Sequence, residues 1–157
     1  MFASTNEMKL EDEIRQDKGF KSQQQKAMVN IFYTEGWLRN RLSETLKPHD
    51  LTSQQYNVLR ILRGSNPKPM STSCVRSRML DKMSDVSRIV DRLFKKALVD
   101  KQVCSTDKRL VDVFITEAGL TVLDKIDESV DGMDKMFTSI TDEEAATLNE
   151  ILDKLRD

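Results

Sequence analysis

The chain has 157 residues, 38% hydrophobic and 32% charged, with a formal net charge of −1. That length suits one domain with a single core, and no apolar run approaches the ~20 residues needed to span a bilayer. The opening "MFASTNEMKLEDEIRQ" lacks a basic start followed by an apolar stretch, so no secretory signal is expected. Cys74 and Cys104 have no CxxC spacing and read as reduced thiols of a cytoplasmic protein. His49 is the sole histidine, which excludes a multi-histidine metal site within one chain. No Ser-His-Asp set, Gly-rich phosphate loop or convincing carboxylate pair supports an enzyme, and no cofactor is expected. The near-zero net charge hides an asymmetry: residues 1–70 sum to +3, 71–109 to +5 and 110–157 to −9. A basic middle followed by an acidic end points to a nucleic-acid surface when overall pI is uninformative, although an uneven solvated surface has the same composition.

In chain order, 5–18 is a short charged helix, opened by the capping-box spacing Ser4–Glu7 and ended by Gly19. A longer helix runs over about 22–46, with Met28, Ile31, Phe32, Leu38, Leu42 and Leu46 at mostly three- and four-residue steps, and Pro48 stops it. Gly36 inside it weakens the helix and is expected where another backbone comes close. Thr52–Gln55 is a second capping box, followed by Tyr56, Val58, Leu59 and Leu62; Gly64, Pro67 and Pro69 end that helix. A short helix over 72–80, a brief turn and a helix over 84–96 come next. Strands at about 98–104 and 109–115 form a hairpin. Thr116 caps a long helix to about 137, and Thr141–Glu144 opens a final helix to about 156. The fold class is mainly α with a small β wing: a helix-turn-helix followed at once by a two-stranded hairpin is a winged helix. The +5 block is that helix-turn-helix plus its wing.

In the 84–96 helix, Val86, Ile89, Val90, Leu93 and Phe94 fall on one stripe expected to be buried. Ser84, Arg88, Asp91, Arg92 and Lys95 point away, with Asp85 and Ser87 on the flanks near the N-terminus. Short polar groups and an arginine in the first turns suit a helix that enters the major groove, and Arg88 can bond guanine O6 and N7 together. Alone, this face reads more readily as a surface ion-pair lattice of Arg88 with Asp91 and Asp91 with Lys95. Asp91 is expected to orient Arg88 or Arg92.

The hairpin tip decides between them. Tips without a function favour Asn-Gly or Asp-Gly, whereas this one is Asp107-Lys108-Arg109 with no glycine. An acid two residues before an arginine holds the guanidinium in a fixed direction, which suits entry into a narrow, negative minor groove. Lys108 is expected at phosphate. Cys104, beside Lys101 and Lys108, has surroundings that lower a thiol pKa, but a structural or incidental thiol is the favoured reading.

In this order and spacing, "LTSQQYNVLRIL", "MSDVSRIVDRLFKKALV" and "STDKRLVDVFITEAG" resemble the MarR family of bacterial winged-helix regulators. The resemblance covers nearly the whole chain. It implies a single 1–157 domain, with 52–115 as the winged helix-turn-helix (wing at about 98–115) and 1–48 and 116–157 as dimerisation helices. It also implies an obligate homodimer that binds pseudo-palindromic operators in double-stranded DNA and usually represses. Carried over by position, Arg109 is the minor-groove arginine, Asp107 its orienting partner, and Asp85, Ser87 and Arg88 read the major groove. Two positions depart from the family pattern. Ala97 stands where a glycine is usual, with strain expected if φ is positive there, and Lys101 replaces an arginine, which is expected to loosen the base of the wing.

Leu120, Leu123, Ile126, Val130, Met133 and Phe137, and then Leu148, Ile151, Leu152 and Leu155, continue apolar stripes toward the chain's end. Part of this is intramolecular core, and the rest favours burial against a second subunit. Small aromatic ligands are typical of the family; Met28, Tyr33 and Trp37 are candidates to line such a pocket, and core packing explains them equally. The rival function is a winged-helix dimer that acts through a protein partner without DNA binding, against which the exposed Arg88 and the Asp-Lys-Arg tip argue.

Overall fold

A computed structural model describes residues 9–103, 111–128 and 138–157. The chain divides into two compact units, one up to Asn40 and one from Arg41 on. In the first unit, α1 is a single turn, Leu10–Glu13, whose Asp12 carboxylate accepts the Lys9 N–H at 3.3 Å. The helix expected over 5–18 is therefore shorter among the described residues. Leu10 alone is buried in it, and Arg15 at φ 54° leaves the helix well before Gly19. The predicted capping box at Ser4–Glu7 lies outside the described residues. The long helix α2 (Gln23–Leu46) begins where Ser22 Oγ accepts the Gln25 N–H at 3.1 Å and Gln25 Oε1 accepts the Lys21 N–H at 2.8 Å. From Arg41 on the helix belongs to the second unit, where it gives way to a 3₁₀ turn, Lys47–His49, with Pro48 in its first positions. A Cβ built on Gly36 meets nothing within 4 Å, so the close approach expected there is not present among the described residues.

In the second unit, α3 (Ser53–Arg63) carries the predicted box: Thr52 Oγ1 accepts the Gln55 N–H at 3.2 Å, and Gln55 Oε1 accepts the Thr52 N–H at 3.0 Å. Then follow β1 (Met70–Ser71), α4 (Thr72–Arg78), α5 (Val86–Lys95), β2 (Val99–Val103), β3 (Val111–Ile115), α6 (Glu117–Glu128) and α7 (Asp142–Lys154). The sheet is antiparallel in the order β1-β3-β2, with Met70 opposite Val113, Val99 opposite Ile115 and Val103 opposite Val111. Strand β1 was not expected, because two residues after a proline carry no alternation to read. The helix after Thr116 is described as far as Glu128, and its expected continuation to 137 lies outside the described residues. Thr141 and Glu144 cap α7 reciprocally, as predicted.

Helix α3 packs on α4, α5, α6 and β3, with Val58, Leu59, Val90, Leu93, Val99, Val113 and Leu123 fully buried among them. Arg63 Nη1 reaches Asp127 Oδ2 at 2.7 Å and Arg60 Nη1 meets Asp127 Oδ1 at 3.4 Å, so part of the acidic C-terminal block neutralises the basic end of α3.

The end of α5 shows why glycine would suit position 97 better than the alanine that stands there. The Ala97 N–H donates to Phe94 O at 2.9 Å and the Leu98 N–H to Leu93 O at 3.1 Å, the paired bonds of a Schellman cap. That cap puts Ala97 at φ 56°, the condition under which strain was expected there. A Cβ in the left-handed region costs about 1 kcal/mol. Ala97→Gly should therefore stabilise the protein by about 0.5–1 kcal/mol, even though glycine loses more freedom on folding. Chemical denaturation checks this, and a destabilised variant would contradict it.

Candidate nucleic-acid interface

Helix α5 is amphipathic because its apolar residues recur at three- and four-residue steps. Val86, Val90 and Leu93 are buried to within 1% exposure, Ile89 packs partly against the core, and Ser87, Arg88, Asp91, Arg92 and Lys95 face solvent. Phe94 corrects the expected stripe: it is 45% exposed, and Lys101 Nζ lies 4.8 Å from its ring centroid. At the edge of the stripe the ring gains a cation on its face rather than full burial.

The N-terminus of α5 is tightly organised. Asp85 precedes the helix as its cap, Oδ1 accepting the Arg88 N–H at 3.2 Å, and Oδ2 pairs with Arg88 Nε at 3.2 Å. One carboxylate thus satisfies a free helix donor and aims the guanidinium, whose side chain stays 81% exposed. Ser84, also ahead of the helix, donates its Oγ–H to Asp81 Oδ2 at 3.1 Å. Ser84, Asp85, Ser87 and Arg88 come together here. Arg92 and Lys95 lie one to two turns on, where they line a shallow, open hollow of about 490 Å³ with Ser43, Lys47, Gln55 and Lys96.

Asp91 does not orient Arg88 or Arg92. Its Oδ1 accepts a hydrogen bond from Lys101 Nζ on β2 at 2.7 Å, and that bond and the ammonium's charge hold the carboxyl below its ordinary range. A depressed carboxylate keeps its contribution above the ordinary carboxylate range and loses it only as pH falls through the lowered value, so the tie persists at neutral pH. Both sequence expectations here are corrected: neither Arg88–Asp91 nor Asp91–Lys95 is the pair formed, and Lys101 fastens the base of the wing to α5 instead of loosening it. A lysine reaches where its ammonium can serve a carboxylate and a ring at once.

Asp107, Lys108, Arg109 and Cys104 lie outside the described residues. Cys74 is exposed on α4. Met28, Tyr33 and Trp37 stand on α2 and are 52%, 39% and 47% exposed. Sequence reasoning left out Arg76 and Arg78, which are exposed on α4, and Lys82, which donates to Ser77 O at 2.8 Å and secures the end of that helix. The +5 charge block contained all three, but no periodicity separated them from ordinary surface. Among the described residues no three metal-ligating side chains cluster, and no helix is long and apolar enough to cross a membrane.

No protein-family model matches the chain. Known proteins do. An HTH-type transcriptional regulator of Bacillus subtilis strain 168, YpoP, is 30% identical over 119 residues, 75% of this chain and 82% of that protein. The multiple antibiotic resistance protein MarR of Escherichia coli K12 is 30% identical over 122 residues, 73% of this chain and 79% of that protein. The chain belongs to the MarR family of transcriptional regulators. In its fold, this MarR-family chain matches the crystal structure of a cysteine-to-serine mutant of E. coli MarR complexed with operator DNA, with a TM-score of 0.73 at 24% identity, covering 94% of this chain and 98% of that one. The mainly helical architecture with a small antiparallel sheet is thus the MarR winged helix.

Proposed function

We propose that this MarR-family regulator is a homodimer that binds pseudo-palindromic operators in double-stranded DNA, α5 reading the major groove and the wing arginine Arg109 the minor groove. The observation that carries this is the N-terminus of α5, where a capped helix presents Ser87 and a carboxylate-aimed Arg88 to solvent. A helix enters the major groove by those first turns, and a planar, oriented arginine fits guanine's two acceptors. Arg92 and Lys95 take positions suited to phosphate, with Ser84 and Asp85 shaping the reading end; by their place in the sequence, Lys108 is assigned to phosphate and Asp107 to aiming Arg109. That the structural neighbour was solved in complex with operator DNA supports DNA binding.

Two helices support dimerisation. α2 leaves Met28, Ile31, Phe32, Tyr33 and Trp37 at least 38% exposed within ten residues, and α7 buries no residue while exposing Leu148 and Ile151, with Leu155 exposed at its C-cap. Apolar faces of this extent are interaction surfaces, and a second copy supplies matching ones. Repression relieved by a small aromatic ligand, with Met28, Tyr33 and Trp37 offered to it, completes the proposal.

Arg109→Ala tests the wing. One cation per subunit is lost, so the slope of log K against log salt should become shallower by about 2 per dimer, at ~0.9 per neutralised phosphate. Affinity should fall most where A·T pairs narrow the minor groove. Fluorescence anisotropy across a salt series measures both, with light scattering to verify that the variant keeps twice the chain mass. Unchanged slope and affinity in an intact dimer would favour a protein partner instead.

A further inference from the structure

We propose that Met83, in the turn between α4 and α5, reads thymine by packing its side chain against the C5-methyl group in the major groove, adding an apolar contact to the polar ones of Asp85, Ser87 and Arg88. The proposal rests on the DNA-binding reading above and deepens it, since it names a base that this face would select.

Met83 is 93% exposed and Leu80 86%, more than any other large apolar side chain among the described residues. Their exposure is not that of a loose loop. The Leu80 N–H donates to Asn57 Oδ1 on α3 at 3.0 Å, and Lys82 Nζ donates to Ser77 O. Asp81 takes the Met83 N–H at 3.0 Å on one oxygen and the Ser84 hydroxyl at 3.1 Å on the other. The turn is pinned at both ends, and Met79 rather than Met83 fills the core, at 1% exposure. The backbone therefore holds Met83 outward, two residues ahead of the cap Asp85 and five ahead of Arg88.

The surroundings select the occupant. Arg78, Lys82 and Arg88 flank the turn in sequence together with Asp81 and Asp85, and all five are exposed; Asp81 is engaged by the Met83 N–H and the Ser84 hydroxyl, and Asp85 by the Arg88 N–H and guanidinium. Protein interfaces deplete charge at their centres, so an apolar pair set in so charged a surrounding, in which the cations outnumber the carboxylates, fits a polyanion with apolar spots better than a second protein. The thymine methyl is the apolar group that the DNA major groove displays, and it lies along the edges that the start of a recognition helix meets. A methionine, unbranched and polarisable, adapts to such a spot. Leu80 sits on the α4 side of the turn, so Met83 is the residue nearer the reading end.

The test uses full-length protein and a duplex enriched by binding from a random-sequence library. Each thymine is replaced in turn by deoxyuridine, which removes the methyl alone. Wild-type protein should lose about fourfold in affinity at one thymine per half-site, the value of burying one methyl-sized group, about 0.8 kcal/mol. Met83→Ala should bind the thymine and uracil duplexes equally, and Met83→Leu should keep the preference. The melting curves of both variants should match wild type, because the side chain touches no core. Unchanged wild-type affinity at every thymine overturns the proposal, as does a Met83→Ala variant that keeps the full preference. Altered dimer mass with intact thymine preference overturns it too, placing Met83 in a protein contact. If no duplex is enriched, the DNA-binding reading fails and the proposal with it; enrichment without a methyl effect defeats the proposal alone.

Discussion

Gly119→Ala should destabilise the protein by about 3 kcal/mol or more, at the upper end of what overpacking a closed interior costs. At this position a Cβ would lie 2.3 Å from Leu98 O and 2.8 Å from Ile115 Cγ1. A carbonyl oxygen cannot swing aside as a side-chain tip can, so either α6 or the segment entering β2 must move. The segment is fixed on both sides, because Leu98 O accepts the Thr116 N–H at 3.1 Å while Thr116 Oγ1 donates to Ala97 O at 2.8 Å. Alanine's better helix propensity recovers about 1 kcal/mol of the loss. For a chain of this size the melting temperature should fall by roughly 6–12 °C. Thermal denaturation followed by circular dichroism checks this, and a fall of under about 2 °C would show that α6 does not approach Leu98 so closely.

Arg88→Ala should weaken binding at the cognate operator by about 1–3 kcal/mol for each base that the arginine reads, and a dimer reads two in this way. Preference at one base pair in each half-site should relax, while random DNA is weakened much less. Exposure decides the expected folding outcome: the Arg88 side chain touches Asp85 and solvent, so the variant should melt as wild type does. Equal weakening on cognate and random duplex would make Arg88 a phosphate ligand.

Much of this was legible in the residues. The capping boxes at Thr52 and Thr141 and the stripe Val86–Val90–Leu93 are local patterns, and local patterns place helices before any tertiary contact is known. The left-handed position at Ala97 was legible too, through the residue usual there in the family. What stayed hidden was non-local. Strand β1 exists because Met70 and Ser71 find β3 more than forty residues away. The partner of Asp91 was misread because helix spacing offers Arg88 and Lys95, whereas the fold brings Lys101 from the next strand. Phe94 followed the stripe's periodicity but sits at its edge, where the sheet's lysine covers it. Asp85 drew attention as a base reader, and its hydrogen bonds reveal a second task as cap and aim for Arg88, which composition alone cannot separate. The exposure of Met83 was likewise invisible, since a methionine in sequence carries no sign of which way a turn will hold it.

The central claim, that this face binds double-stranded DNA through its cations, is tested most directly by anisotropy of the wild-type protein on a random duplex at increasing salt. Binding should be measurable at low salt, and log K should fall linearly with log salt, losing roughly a thousandfold or more between about 50 mM and about 200 mM if six or more phosphates are neutralised per dimer. Absence of binding at low salt by a protein of dimer mass, or affinity indifferent to salt, would contradict the account.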